Sequence, residues 1–485
     1  MKAALLSPLP PTRSGVAHYA SMLVPALQGR VDVTAFGSLD GYRRDDFDVA
    51  IYQLGNNPHH AFVYAEAMER PGVAVLHDVV LHHLIVEMTL ARGDVEGYVD
   101  ALRASHGEAG AAWARGRAAG LHSEMGNFLL PGSIEVARRS RAVIVHNGWA
   151  ADLLRSLGVE TPIHVVPHPY EPDTVHHEPL PVRTLLGITP DDRVIGLFGF
   201  LTSAKRGEVV VEAFRRARER NAHLRLLVVG EPAPNIDLTS IQGEGVIVTG
   251  YVSDDDFGRY YAAADRLVNL RYPSAGESSG TLIRAFAAGK PVAVSDYAQF
   301  AEYPDDCVVR IAFGEREVED LTAFFLDDLD TRNIAAAQRA WLESNARIEL
   351  TVDGYVKALA NGAVDSEGRT SKVEGRLPLF PRIVLAGVAF EDGAARLTLR
   401  NDGDSPLRAR VYGEPAYRLL VKLFDESGEV ADYWLQLAGD LLPGATAEIG
   451  VPLQDRAVTL RIYHALEGIP IIDPMPAAEV GVARV

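Results

Sequence analysis

Three loops carry residue types and spacings suited to handling an activated anion. The first is Gly199-Phe200-Leu-Thr-Ser-Ala-Lys205-Arg206, between an apolar run, Val194 to Phe198, and a helical pattern beginning at Glu208. Two cations at a helix N-terminus oppose the macrodipole and repel each other. A dianion such as a diphosphate would relieve both effects, held by helix N–H groups and the two side chains. The bland reading is a pair of solvated surface cations. The second loop runs from Arg271 to Thr281 and contains Gly276, Glu277, Ser278, Ser279 and Gly280. Glu277 can accept hydrogen bonds from sugar hydroxyls, and Ser278 to Thr281 offer N–H donors to a phosphate; the ordinary alternative is a capping loop. The third, Ser14-Gly15, opens a helix, where small residues let a ligand reach the backbone N–H groups, or where Ser14 is simply an N-cap. His77-Asp78 ends the run Val73 to Leu76, so that His77 can hydrogen-bond a sugar hydroxyl or rest as a satisfied strand-end histidine.

These loops need strands and helices to aim them. Lys2 to Leu6, Val31 to Phe36, Val49 to Gln53, Val73 to Leu76, Ala142 to His146 and His164 to Val166 are apolar runs alternating with helical patterns such as Val16 to Leu27. Near-continuous apolar strands alternating with helices predict a parallel α/β sheet. The pattern repeats over Val194 to Phe198, Leu224 to Val229, Val246 to Thr249, Arg266 to Leu270 and Pro291 to Ser295, with helices at Glu208 to Arg220, Leu282 to Ala288 and Trp341 to Leu359. Two such halves predict a cleft at the carboxyl ends of their strands. Asn361 to Arg376 lacks apolar periodicity and reads as a linker. Beyond it, Ala394 to Asn401, Arg418 to Phe424, Asp432 to Leu437, Ala447 to Val451 and Val458 to Tyr463 alternate as short strands do. The expected domains are 1–180, 181–360, a linker at 361–380 and an all-β sandwich at 381–485, with Tyr433 and Trp434 as exposed-looking aromatics, one of which the alternation could equally put in the core.

Composition bounds the function. The 485 residues suggest about three domains. With 47 basic and 65 acidic residues the net charge is −18, which argues against a nucleic-acid surface but leaves room for a local phosphate site. The single cysteine, Cys307, excludes an internal disulfide and a cysteine-based zinc cage. His82 and His83 have no clustered carboxylates, so no metal is expected. No apolar run reaches the length of a membrane helix, and the N-terminal apolar stretch is too short for a secretory signal. A cytoplasmic protein is the expectation, with peripheral membrane contact and a homodimer left open.

Together these loops resemble the GT-B glycosyltransferases of family 4, retaining enzymes that use nucleotide sugars, over about residues 1 to 360. The resemblance rests on Ser14-Gly15, His77, the strand-loop-Lys205-helix unit, Gly250-Tyr251-Val252 and the segment Gly276 to Asp296. Ser295 to Glu302 is similar to the family's S-D-x-G-G-x-x-E stretch, and Trp341 to Leu359 to its helix that crosses back to the first domain. There are departures. Of the family's two glutamates, Glu277 matches the first, while Arg284 stands at the second with a spacing one residue shorter. Gly199-Phe200 replaces the usual Gly-Arg. The G-E-S-S-G variant resembles bacterial polysaccharide and natural-product glycosyltransferases.

The resemblance implies two Rossmann-like domains facing across a cleft, followed by the immunoglobulin-like sandwich. It implies a metal-independent, retaining hexosyltransferase without a cofactor, moving a hexose from a nucleoside-diphosphate sugar to a glycan, lipid-linked or natural-product acceptor. Glu277, His77, Lys205 and Arg206 are the expected catalytic residues. Ser14, Gly15, Gly199, Phe200, Tyr251, Val252, Arg271, Ser278, Ser279, Gly280, Thr281, Arg284 and Glu302 are the expected donor-binding set. In that set Glu302 is the candidate acceptor for ribose hydroxyls. The alternative is an inactive transferase-like carbohydrate-binding or scaffold protein.

Overall fold

The computed structural model describes residues 1–120, 126–171, 178–233, 241–312, 314, 316–362, 383–391, 393–402, 417–435, 441, 442, 444–453, 459–466 and 478–481. The expected linker from residue 363 onward lies outside the described residues, as does the Trp434 side chain. The chain divides into two compact units, residues 1–81 with 136–371, and 82–135 with 372–485. Residues 82–135, which the sequence reading kept inside the first domain, therefore group with the C-terminal region.

The first unit holds two parallel sheets. In spatial order the first is β2 (Asp32–Phe36), β1 (Lys2–Leu6), β3 (Val49–Leu54), β4 (Val73–Leu76), β5 (Ala142–Val145) and β6 (Ile163–Val165). The second is β12 (Val309–Ile311), β11 (Val292–Ser295), β10 (Arg266–Asn269), β7 (Arg193–Phe198), β8 (Leu224–Val229) and β9 (Val246–Val248). Central strands are buried on both faces, which is why they read as unbroken apolar runs. Strand order reverses between β1 and β3 in the first sheet and between β7 and β10 in the second. Ligands of doubly wound folds bind at such switch points, beyond the strand carboxyl ends.

Register decides which loops meet. Leu76 pairs with Val145, and Val145 with Val165, so His77, His146 and Val166 leave the first sheet side by side. Val268 pairs with Leu197, so the loops after Phe198 and Asn269 emerge together at the second switch point.

The crossing helix differs from expectation. Trp341 to Leu359 is not one helix but parts of two, Thr331–Asn345 and Ile348–Gly362. Asn345 donates its side-chain amide back to the Trp341 carbonyl, and the Ala346 carbonyl accepts from Tyr170 N–H instead of continuing the helix. The second of the pair places Val352, Tyr355, Ala358 and Leu359 in the core beneath the first sheet, against Tyr19, Leu23 and Leu27 of the helix Gly15–Gln28. Strand β12 was not anticipated from its three residues.

In the second unit, helix His82–Met88 is tied down by His82, which donates from Nδ1 to the Leu130 carbonyl and accepts at Nε2 from Tyr98. The C-terminal region forms two antiparallel sheets. One is β13 (Ile383–Glu391), β14 (Ala394–Asn401) and β17 (Thr446–Pro452); the other is β16 (Gly428–Leu435), β15 (Tyr417–Asp425), β18 (Thr459–Leu466) and β19 (Ala478–Gly481). Ala395, Leu397 and Leu399 alternate inward along β14, as an appended all-β domain requires. Tyr433 is half-buried. Among the described residues no helix is long and apolar enough to cross a membrane.

Candidate active site

The second half supplies charge. Gly199 turns the chain with φ +85°, and a Cβ there would come 2.7 Å from Lys205 Nζ. Lys205 folds over that glycine and donates to the Phe198 carbonyl at 2.5 Å. It is buried, not solvated as its position after a loop suggested. Burial, and then neighbouring Arg271, push its pKa well below the usual lysine value, while Glu277 opposes the shift. Arg206 adopts φ +57° and makes a bidentate pair with Glu317 at 2.7 and 2.6 Å. Both side chains of that pair are 5% exposed. Its guanidinium thus holds the loop to the helix Glu317–Leu326, and the expected open phosphate contact is occupied by a carboxylate.

Glu277 is fixed from three sides. Arg271 Nε reaches Oε1 at 3.0 Å, and Ala275 N–H and the Ser274 hydroxyl reach Oε2 at 3.1 and 3.3 Å. Gln299 braces the same loop, accepting from the Ser274 hydroxyl and donating to the Glu277 carbonyl, each at 2.8 Å. Ser279 caps the helix Gly280–Ala287 by accepting from Leu282 N–H. Its hydroxyl and that of Thr281 converge on Asn269 Oδ1, so these hydroxyls shape the loop. Gly280 has open space around its Cβ position. Phe200 and Tyr251 are exposed, with the Arg13 guanidinium 4.5 Å from the Tyr251 ring centroid. Val252 packs partly into the core of this half.

The first half supplies neutral rings. His77, His146 and His168 surround Tyr19, with centroids 4.7, 5.3 and 5.2 Å from its ring. His77 Nε2 meets Gln53 Oε1, whose amide nitrogen donates to Tyr355 Oη at 3.0 Å. Burial pushes His77 well below the usual histidine value, His146 to about 4 and His168 to about 3. Asp78 accepts from Asn56 N–H at 2.7 Å, and burial, reinforced by Glu277, raises its pKa to about 7. Ser14 takes the bland role: its hydroxyl caps its own helix, while exposed Gly15 leaves the helix start accessible.

Several contacts bring the halves together. Val79 and Val80 N–H donate to the Ala275 carbonyl at 2.7 and 3.1 Å, and Asn147 Nδ2 donates to the Gly276 carbonyl at 2.9 Å. Gly276, at φ +78°, lies so close to Val79 and Trp149 that a Cβ would clash with both. Glu302 accepts from Gly148 N–H at 3.0 Å and from Trp149 N–H, binding the first turn of helix Gly148–Ser156 rather than standing open for a ribose. Arg284 lies 3.1 Å from His18 Nε2 and 5.3 Å from the Phe257 ring centroid. The same His18 nitrogen is 3.1 Å from Glu171 Oε2. One ring nitrogen cannot both donate to Glu171 and accept from Arg284, so the two compete for it. Sequence reasoning missed His146, His168, Gln53, Tyr19 and Gln299. The strand-end placement that singled out His77 applies equally to His146. Among the described residues no group of three or more His, Cys, Asp or Glu is placed to hold a metal ion.

The fold is the two-domain Rossmann arrangement of GT-B proteins, with antiparallel sheets added. Residues 192–328, most of the second half, match the profile of the family described as Glycosyl transferases group 1. Among solved structures the chain is similar to Anabaena HepE in complex with UDP-glucose, at 15% identity and a TM-score of 0.52, covering 74% of this chain and 99% of that one. It is similar also to sucrose-phosphate synthase from Thermosynechococcus elongatus, at 14% identity and a TM-score of 0.51, covering 74% and 98%. At such identity the likeness is one of fold. No curated protein matches the chain.

Proposed function

We propose that the protein is a retaining, metal-independent hexosyltransferase that takes its sugar from a nucleoside diphosphate and passes it to a glycan, lipid-linked or natural-product hydroxyl. One observation carries the reading. The loops after β7 and β10 gather Lys205, Arg271 and Glu277 at the switch point of the second sheet, where Glu277 also influences Asp78 beside His77. The family match over 192–328 covers those loops, and HepE, of the same fold, was solved with UDP-glucose.

In this mechanism the sugar C1–O bond to the diphosphate breaks. Positive charge develops on the ring and negative charge on the leaving phosphate. Lys205 and the amides of the Ser278–Thr281 loop stabilise the phosphate, preorganised in a largely dry site. Arg206 acts indirectly, by holding Lys205's loop. Glu277 orients the sugar, and neutral His77 accepts a hydrogen bond from a sugar hydroxyl without repelling the cationic ring. The acceptor oxygen bonds C1 from the face the diphosphate leaves, and a leaving phosphate oxygen takes its proton. No side-chain base or metal ion is needed.

The test is thermal denaturation with UDP and UDP-glucose, alongside UDP-glucose hydrolysis in excess EDTA. A ligand at about 100 times its Kd should add about 2.7 kcal/mol of stability. Hydrolysis should survive the chelator. A flat thermal response across nucleoside diphosphates and their sugars would remove the transferase reading, and dependence on added Mg²⁺ or Mn²⁺ would remove its metal-free form.

A further inference from the structure

His146 holds an acceptor that no partner among the described residues satisfies. Its Nδ1 lies 2.9 Å from the Val166 carbonyl, which can only accept, so Nδ1 carries the proton. Nε2 is then a bare lone pair. Among the described residues it is buried without a hydrogen-bond partner, in a residue only 8% exposed. A buried polar atom normally finds a partner, and an orphan calls for an explanation. The neighbouring rings share this polarity. Gln53 Oε1 fixes the proton of His77 on Nε2, and the Pro169 carbonyl, 2.9 Å away, fixes that of His168 on Nδ1. The remaining nitrogens of both are acceptors. Tyr19 Oη is engaged with Tyr355 Oη at 3.1 Å. The cluster thus presents lone pairs to whatever enters, and it suits a ligand that brings its own O–H groups. The low pKa of His146, about 4, keeps the ring neutral and its lone pair available at neutral pH.

Position supplies the ligand. His146 stands beyond the carboxyl end of β5, and its backbone carbonyl accepts from the Ser278 hydroxyl at 3.4 Å. The next residue, Asn147, donates to the Gly276 carbonyl. His146 therefore adjoins, through its backbone, the loop that carries Glu277, while its ring packs beside His77 at a centroid distance of 4.8 Å. Resting on the transferase reading above, we propose that His146 Nε2 accepts a hydrogen bond from one hydroxyl of the donor sugar, making His146 a specificity-determining residue. The step is recognition only; no proton moves.

The experiment compares UDP-glucose with its 2-, 3-, 4- and 6-deoxy analogues, reading kcat/KM of hydrolysis without acceptor and UDP binding by thermal shift. Wild type should prefer UDP-glucose over one analogue by tenfold or more. His146→Phe keeps a flat ring without the acceptor, and should shrink that one preference severalfold through the UDP-glucose value while UDP binding is unchanged. His146→Gln, which restores an acceptor oxygen, should recover part of it, and reports independently if the Phe variant folds poorly. An unaltered preference pattern in both variants, with UDP still bound, overturns the role of His146 alone. No UDP binding by the wild type overturns the transferase reading as well.

Discussion

The two Rossmann halves present the same kind of sheet edge with opposite chemistry. Beyond the first sheet stand a tyrosine and imidazoles that burial keeps neutral. Beyond the second stand Lys205, Arg206, Arg271 and Glu277, each tied to a charged or carbonyl partner. Under the proposed function, the difference would let one architecture divide a task. Neutral groups discriminate hydroxyls without favouring either sign, whereas a loop of fixed charges responds to charge that develops during bond cleavage. In the proposed transferase the first side would read the sugar and the second would stabilise the leaving group.

This division can be broken most severely at Arg206. Replacing it with Met leaves Glu317 buried and unpaired, which should cost about 3–5 kcal/mol of stability in urea denaturation. The double variant Arg206→Met with Glu317→Leu should recover most of that loss. If it instead remained folded but inactive with donor binding lost, Arg206 would be contacting the phosphate directly. Lys205→Ala should lower kcat by roughly 100-fold, the scale of removing one preorganised donor. Activity equal to wild type would remove Lys205 from the charged side of the comparison.

Acid sharpens the neutral side. Burial pushes His60 and His146 to about 4 and His168 to about 3, below the ordinary value of about 6.5. Between those limits the unfolded chain binds protons that the folded chain refuses. Their stabilisation is complete above about pH 6.5 and is lost as pH falls toward 4. Asp78 acts in reverse: its folded pKa is raised to about 7, so its contribution is full below about pH 4 and fades as pH rises toward 7. Three histidines outweigh one aspartate, so Tm should fall steadily from pH 6.5 to 4. Asp78→Asn should steepen that fall; a flat Tm across the window would mean that the imidazoles are hydrated.

The smallest effect is expected at Glu302. Glu302→Ala removes a carboxylate from two N–H groups of an exposed helix start and should cost about 1 kcal/mol. The preference for ribo- over 2′,3′-dideoxy-nucleotides should not change. A selective loss of that preference would return Glu302 to the ribose.

What could be read in advance follows from the range of the forces involved. Strands such as Val73–Leu76 and Leu224–Val229 have the bounds expected, because burial on both faces leaves an unbroken apolar run. The loops at Lys205 and Glu277 were equally visible, since a polar cluster between a strand and a helix stands out locally. Partners were not. Arg206 meets Glu317 across 111 residues, and Glu302 meets Gly148 across 154. Such choices depend on how helices pack, which no local pattern encodes. His146 was visible as a strand end, but that its neighbours would be Tyr19, His77 and His168 was not, and neither was the helix break at Ala346, where the carbonyl accepts from Tyr170 N–H.

The helix Ile348–Gly362 also has a consequence for how the chain is made. Its residues Val352, Tyr355, Ala358 and Leu359 belong to the core of the half that is synthesised first. From Val166 to Gly362 there are 196 residues still to be translated, which at ordinary rates takes roughly 10–40 s. Throughout that interval the underside of the first sheet lacks its cover. An emerging chain must either hold that apolar face shielded or wait to complete its core, so the two Rossmann halves should reach their native state as one cooperative event near the end of their own translation.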